Sequence, residues 1–322
     1  MKKWLRRLLW ALGLGFGGLN VVAFLHAWRL THFSAEAGPR TLAPAKLSPS
    51  QKLLVLLTGI RNPRPRNEAP PAFSFKTVWL PGPDGPLEAW YASPDSVPER
   101  GTVALFHGYG SSKGKLLHEA ATFRELGYAV LLVDQPGSGG SAGWRTTIGY
   151  REAQAVAAAV AYLRRQLGGT SRPLVLYGVS MGAAAIMRAE AELGVRPTAN
   201  ILECPYGTMR QTVVSRFRVL HAPTVLLPDL LVFWGGLQNG FWGYGLRPEA
   251  YARHLAAPTL LLWGRRDLYV TPAETDTIFA HLPAPARLAT FGRAGHEPYW
   301  HKYPQQWRQE VAAWLAAYAY AQ

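Results

Sequence analysis

From Thr77 to the C-terminus, short apolar runs alternate with longer stretches of helical spacing. The runs are TVWL (77–80), LEAWYA (87–92), TVALF (102–106), AVLLV (129–133), LVLYG (174–178), ANILE (199–203), TLLLW (259–263) and RLATF (287–291). Several are apolar at every position, the pattern of strands buried on both faces. The segments 113–126, 148–167, 182–193, 273–281 and 304–320 between and after them carry helical spacing. Strands separated by helices predict an α/β fold, a mostly parallel eight-stranded sheet with crossover helices. One interval breaks the alternation. Residues 205–256 are too long for a crossover and rich in Phe, Trp, Tyr and Pro, so they are expected to form an inserted cap over the site. Within it, LLVFWGGLQNGFWGYG (230–245) is broken by glycines and predicts a mobile flap whose Trp234 and Trp242 meet a ligand.

The N-terminus follows another pattern. Leu8 to Trp28 is a run of 21 residues without a formal charge, with Asn20 and His26 its strongly polar members. That length matches the roughly 20 residues a helix needs to span hydrocarbon, and Trp4 and Trp28 stand where interfacial aromatics belong. A signal peptide cleaved near Ala35-Glu36-Ala37 is the alternative, but the hydrophobic stretch is long for one and that site distant. The proline-rich RNPRPRNEAPPAF (61–73) predicts an extended tether. The expected organisation is therefore an anchor over 1–30, a linker over 31–71 and an α/β body over 72–322 containing the cap at about 205–256.

Charge sharpens this picture. The 34 basic residues exceed the 20 acidic ones, giving a net charge of +14. No nucleic-acid motif accompanies the surplus, so nucleic acid is not expected as a partner. Lys2, Lys3, Arg6 and Arg7 instead crowd beside the apolar run, which suits an anionic membrane surface and favours a cytoplasmic N-terminus with the body outside. The single cysteine, Cys204, precludes an intrachain disulfide.

The candidate chemistry centres on GVSMG (178–182). A serine on a sharp strand-to-helix turn has strained backbone angles and close neighbours, and glycines at 178 and 182 remove the Cβ atoms that would collide. An ordinary Gly-rich turn with a helix-capping serine is the plainer reading of the pentapeptide alone. A serine hydroxyl also needs a base. Among nine histidines, His296 in GRAGHEPYW follows the last predicted strand, where a loop at the carboxyl edge of the sheet can reach Ser180; His301 is the runner-up. For the acid that orients the base, Asp267 in GRRDLYV ends the penultimate strand, and Glu203 at the end of ANILE is its rival. The order Ser, acid, His with a late acid suits Asp267 better. Asp134 in VDQPGSGGS suits a structural loop carboxylate. The turn HGYG (107–110) and the residue after the serine offer the backbone N–H groups of Tyr109 and Met181 to a developing oxyanion.

Taken in order, HGYGSSK, VDQPGSGGS, GVSMG, GRRDLYV and AGHEP resemble the α/β-hydrolase superfamily over Ala72 to Gln322, near its monoacylglycerol-lipase-like and serine-aminopeptidase-like members. Pro136 stands where many relatives carry an arginine. The resemblance implies Ser180 as nucleophile, Asp267 as acid, His296 as base, and Tyr109 and Met181 as oxyanion donors. It implies a small-molecule ester or acyl substrate. The sequence carries no metal-ligand cluster or nucleotide-binding loop, so no cofactor or metal is expected. Thioester or peptide cleavage would use the same groups. A membrane-tethered binding module that keeps the fold without catalysis is the alternative from outside the enzymes.

Overall fold

The computed structural model describes residues 3–35, 38–42, 44–94, 98–166, 172–283 and 285–319. Lys2 of the N-terminal cations, and Glu36 and Ala37 of the candidate cleavage site, lie outside them. The helices and strands in chain order are α1 (Lys3–Thr31), α2 (Pro49–Thr58), β1 (Lys76–Leu80), β2 (Leu87–Ala92), β3 (Gly101–Phe106), α3 (Leu117–Glu125), β4 (Tyr128–Val133), α4 (Glu152–Gln166), β5 (Leu174–Val179), α5 (Met181–Leu193) and β6 (Ala199–Glu203). They continue with α6 (Met209–Leu220), α7 (Leu227–Gln238), α8 (Pro248–Tyr251), β7 (Thr259–Gly264), α9 (Pro272–His281), β8 (Ala286–Phe291) and α10 (Pro304–Tyr318). They fall into two compact units, Met1–Pro63 with Met209–Gly245, and Arg64–Thr208 with Leu246–Gln322.

The second unit is an α/β sandwich on an eight-stranded sheet of order β1-β2-β4-β3-β5-β6-β7-β8. β1 and β2 pair antiparallel, and β3 to β8 run parallel. All eight expected strands are present. β3, β4, β5 and β7 are buried at every position, which is why their sequences lack alternation. Val103, Leu105, Val130, Leu132, Val175 and Tyr177 share one cluster with Phe123 of α3 and Trp307 and Trp314 of α10, while α4 and α5 pack against each other outside it. The carboxyl ends of β3, β5, β6 and β7 therefore stand side by side, as a site built on a parallel sheet requires.

The first unit holds α1 and α2 together with α6 and α7 from the insertion. Two expectations change here. The segment 31–71, expected as a linker, contains α2, opened by a capping box in which Ser48 and Gln51 bond each other's backbone N–H. The supposed flap contains a regular 12-residue helix, α7. Gly236 is used for close approach: a Cβ there would lie 2.6 Å from both Gly243 N and Phe241 O. Ala23 and Ala27 of α1 form a small core with Phe217 of α6 and Leu231 of α7.

The insertion leaves and rejoins the second unit at one place. Gly207 accepts a hydrogen bond from the Glu249 N–H at 3.0 Å, and its own N–H donates to Glu274 on α9 at 3.1 Å.

Candidate active site

Ser180 stands between β5 and α5 with φ 52° and ψ −108°, a positive φ held by a non-glycine residue. Such a conformation persists only where the surroundings enforce it. Here the Ser180 N–H donates to the Glu203 carbonyl at 2.7 Å, tying the turn to the neighbouring strand. A Cβ on Gly178 would lie 2.6 Å from Ala183 N, and one on Gly182 would overlap the Phe106 carbonyl at the end of β3. Gly108, in the turn after β3, would carry its Cβ 3.6 Å from that of Ser180. The glycines let β3, β5 and α5 converge on the serine.

Ser180 Oγ lies 2.9 Å from His296 Nε2, and His296 Nδ1 lies 2.7 Å from Asp267 Oδ2. The Asp267 side chain is fully buried, and its other oxygen accepts from the N–H groups of Tyr269 and Val270 at 2.7 and 2.9 Å. With Oδ1 thus engaged, Oδ2 faces the imidazole. An Nδ1–H donor leaves Nε2 able to accept the serine proton. Cys204, Asp267 and His296 bring a sulfur, a carboxylate oxygen and an imidazole nitrogen within 4.8 Å of one another. The carboxylate and the imidazole bond each other, and the thiol lies beside that pair.

The two rivals lie elsewhere in the bonding. Glu203 is fully buried and accepts from Tyr299 N at 2.7 Å, Tyr177 Oη at 2.9 Å and Trp307 Nε1 at 3.1 Å. It clasps the loop that carries His296 without bonding the imidazole. Burial pushes its carboxyl up to about 7 against those three donors. His301 packs with His118 and Trp300, and burial lowers its pKa.

The turn after β3 has its own support. Asp134 accepts from Lys113 N at 2.8 Å, Gly140 N at 2.9 Å and Asn67 Nδ2 at 2.8 Å, and pairs with the Lys113 ammonium. Lys113 is wholly buried, bonds Glu88 at 2.6 Å and lies over the Trp90 ring. His107 joins β3 to β4, its Nε2 accepting from Gln135 N at 2.9 Å, and burial lowers its pKa. Tyr109 follows within this turn, and Met181 opens α5 directly after the serine. Lys113 and Asp134 lie in HGYGSSK and VDQPGSGGS, 21 residues apart, and no local pattern in either motif marks them as a pair.

A family model described as serine aminopeptidase, S33, matches residues 97–240, a span that includes Tyr109, Ser180 and Met181 and ends before Asp267 and His296. The uncharacterized protein YqkD of Bacillus subtilis (strain 168) is 23% identical over 232 residues, which cover 71% of this chain and 75% of YqkD. Among solved structures, the Pyrococcus furiosus esterase Pf2001 superposes with a TM-score of 0.65 at 22% identity, covering 80% of this chain and all of the other. XC6422 of Xanthomonas campestris, an α/β serine hydrolase described as lacking a lid, superposes at 0.54 with 21% identity, covering 77% of this chain and 97% of its own.

Proposed function

We propose that this chain is a serine hydrolase of the α/β-hydrolase superfamily, to whose members it is similar in sequence and fold, and that it cleaves carboxylic esters through an acyl-enzyme on Ser180. The observation that carries this reading is the unbroken hydrogen-bonded run from Asp267 through His296 to a serine held at a strained turn. In the proposed cycle, Ser180 Oγ attacks the ester carbonyl as its proton passes to His296 Nε2. Asp267 stabilises the imidazolium, and the N–H groups of Tyr109 and Met181 receive the oxyanion. Collapse expels the alcohol, which takes the proton from Nε2. Water, activated by the same imidazole, then releases the acid and frees the serine.

A fluorophosphonate probe should label the wild-type chain and leave Ser180→Ala unlabelled. Equal labelling of both would remove Ser180 from the nucleophile's role. The family description keeps peptide-bond cleavage as a second reading. Turnover of nitrophenyl esters against acyl thioesters and aminoacyl arylamides separates these chemistries.

The same reading extends to location. α1 is 29 residues long and apolar enough to cross a membrane. The length of the apolar run supports an uncleaved anchor, and the leading cations favour a cytoplasmic N-terminus with the second unit outside.

A further inference from the structure

The first unit contains an unusual pairing: an apolar N-terminal helix packed against a helix from the cap. α1 has two halves. Residues 6–18 are exposed on every side, whereas Asn20, Ala23, Ala27, Leu30 and Thr31 form a stripe that turns inward. α7 lies on that stripe. A Cβ on Gly235 would meet Thr31 and Ala27 at ordinary contact distances of 3.9 and 4.0 Å, which places this turn of α7 directly against the stripe. Two polar contacts pin the pair: Trp234 Nε1 donates to Asn20 Oδ1 at 3.1 Å, and Gln238 Nε2 donates to the Phe24 carbonyl at 2.8 Å. Asn20 Nδ2 donates in turn to Phe16 O at 2.9 Å, so both ends of this side chain are satisfied inside the apolar run.

This pairing constrains depth. If Leu8 to Trp28 spans the hydrocarbon, Phe24 and Asn20 lie four and eight residues inside the outer boundary at Trp28. At a rise of about 1.5 Å per residue, that is roughly 6 and 12 Å below the surface for an upright helix. Trp234 and Gln238 must then lie at that depth too. Keeping α7 in water would instead confine the span to the residues before Asn20, a stretch that includes Lys3, Arg6 and Arg7. The composition of α7 agrees with immersion of all but its first turn, where Asp229 pairs with Arg210 of α6 at 2.7 Å. No residue from Leu230 to Gly245 is charged, and Phe233 and Leu237 stand exposed. α2 of the same unit has no buried residue and exposes Leu53, Leu54 and Leu57.

We infer that α7 is a membrane-immersed helix, seated beside the C-terminal half of α1 with Phe233 and Leu237 against lipid. Anchor and cap then form one membrane unit. This rests on reading α1 as a span, and the test separates the two claims. The full chain is reconstituted into phosphatidylcholine–phosphatidylglycerol vesicles, and an environment-sensitive fluorophore is placed on Phe233→Cys or Leu237→Cys. Phe16→Cys reports on the span, Leu193→Cys on water, and the wild type reports any labelling of buried Cys204. Immersion predicts blue-shifted emission at 16, 233 and 237. Each should be quenched severalfold more by a nitroxide on the acyl chain than by aqueous iodide, with the reverse at 193. Lipid quenching at 16 alone, with iodide quenching at 233 and 237, overturns the inference and leaves the anchor standing. Iodide quenching at all four positions overturns both.

Discussion

Glu119 and Glu203 are buried carboxyls that do opposite things. Glu119, on α3, is fully buried with no partner beyond its own backbone. Burial, with Glu203 nearby, pushes its carboxyl from 4.5 up to about 8. The folded chain therefore keeps a proton that the unfolded chain gives up, and stability must fall as pH rises between these values. Glu119→Gln removes that dependence, so its melting temperature should gain on the wild type far more at about pH 9 than at about pH 5; an equal difference at both would show the group to be ionised when folded. Glu203 instead has three donors, and its value lies in holding the Tyr299 backbone. Asp267→Asn should lower kcat by about 10³- to 10⁴-fold with little change in melting temperature, because the imidazole loses its orienting acceptor. Glu203→Gln should lower the melting temperature and reduce kcat less. The opposite ranking of kcat losses would make Glu203 the acid.

At the level of elements, the two adjacent glycines of α7 make a paired test. Gly236 has backbone on its Cα side at 2.6 Å, so Gly236→Ala forces α7 away from Phe241 and Gly243 and should cost about 1–3 kcal/mol. Gly235 has ordinary contact distances of 3.9 and 4.0 Å, and Gly235→Ala should stabilise by roughly 0.5–1 kcal/mol through helix propensity alone. Thermal unfolding of the full chain in micelles would show opposite shifts; shifts of one sign would contradict the packing. These glycines also mark where sequence patterns stop being informative. The strands were legible because burial on both faces leaves continuous apolar runs, and the order of Ser180, Asp267 and His296 was legible because loops at one sheet edge must carry them. α7 was not, because a glycine that breaks a helix and one that admits a neighbour look alike until the neighbour is known. The bond between Trp234 and Asn20 joins positions 214 residues apart, which no local pattern records. α2 is different: the Ser48–Gln51 box is present in the sequence, but the prolines near it carry the pattern of a tether. Nothing local marks Glu119 as buried, because an acidic residue on a helix ordinarily faces water.

For the whole molecule, the net charge of +14 is unevenly useful. Arg6 and Arg7 precede the apolar run, but Arg29 and Arg40 follow it, so the bias that orients the chain is modest. With the N-terminus inside, protease added to intact spheroplasts should digest the second unit, while complete protection until lysis would reverse the orientation. The hydrogen bond between Glu249 and Gly207 bears on the molecule in another way. Chain that departs and returns through a single doorway can lengthen, shorten or be exchanged without re-threading β6 and β7, which stay neighbours whatever is strung between them. The insertion is thus free to vary at a pace of its own, and the sheet keeps no record of what it has carried.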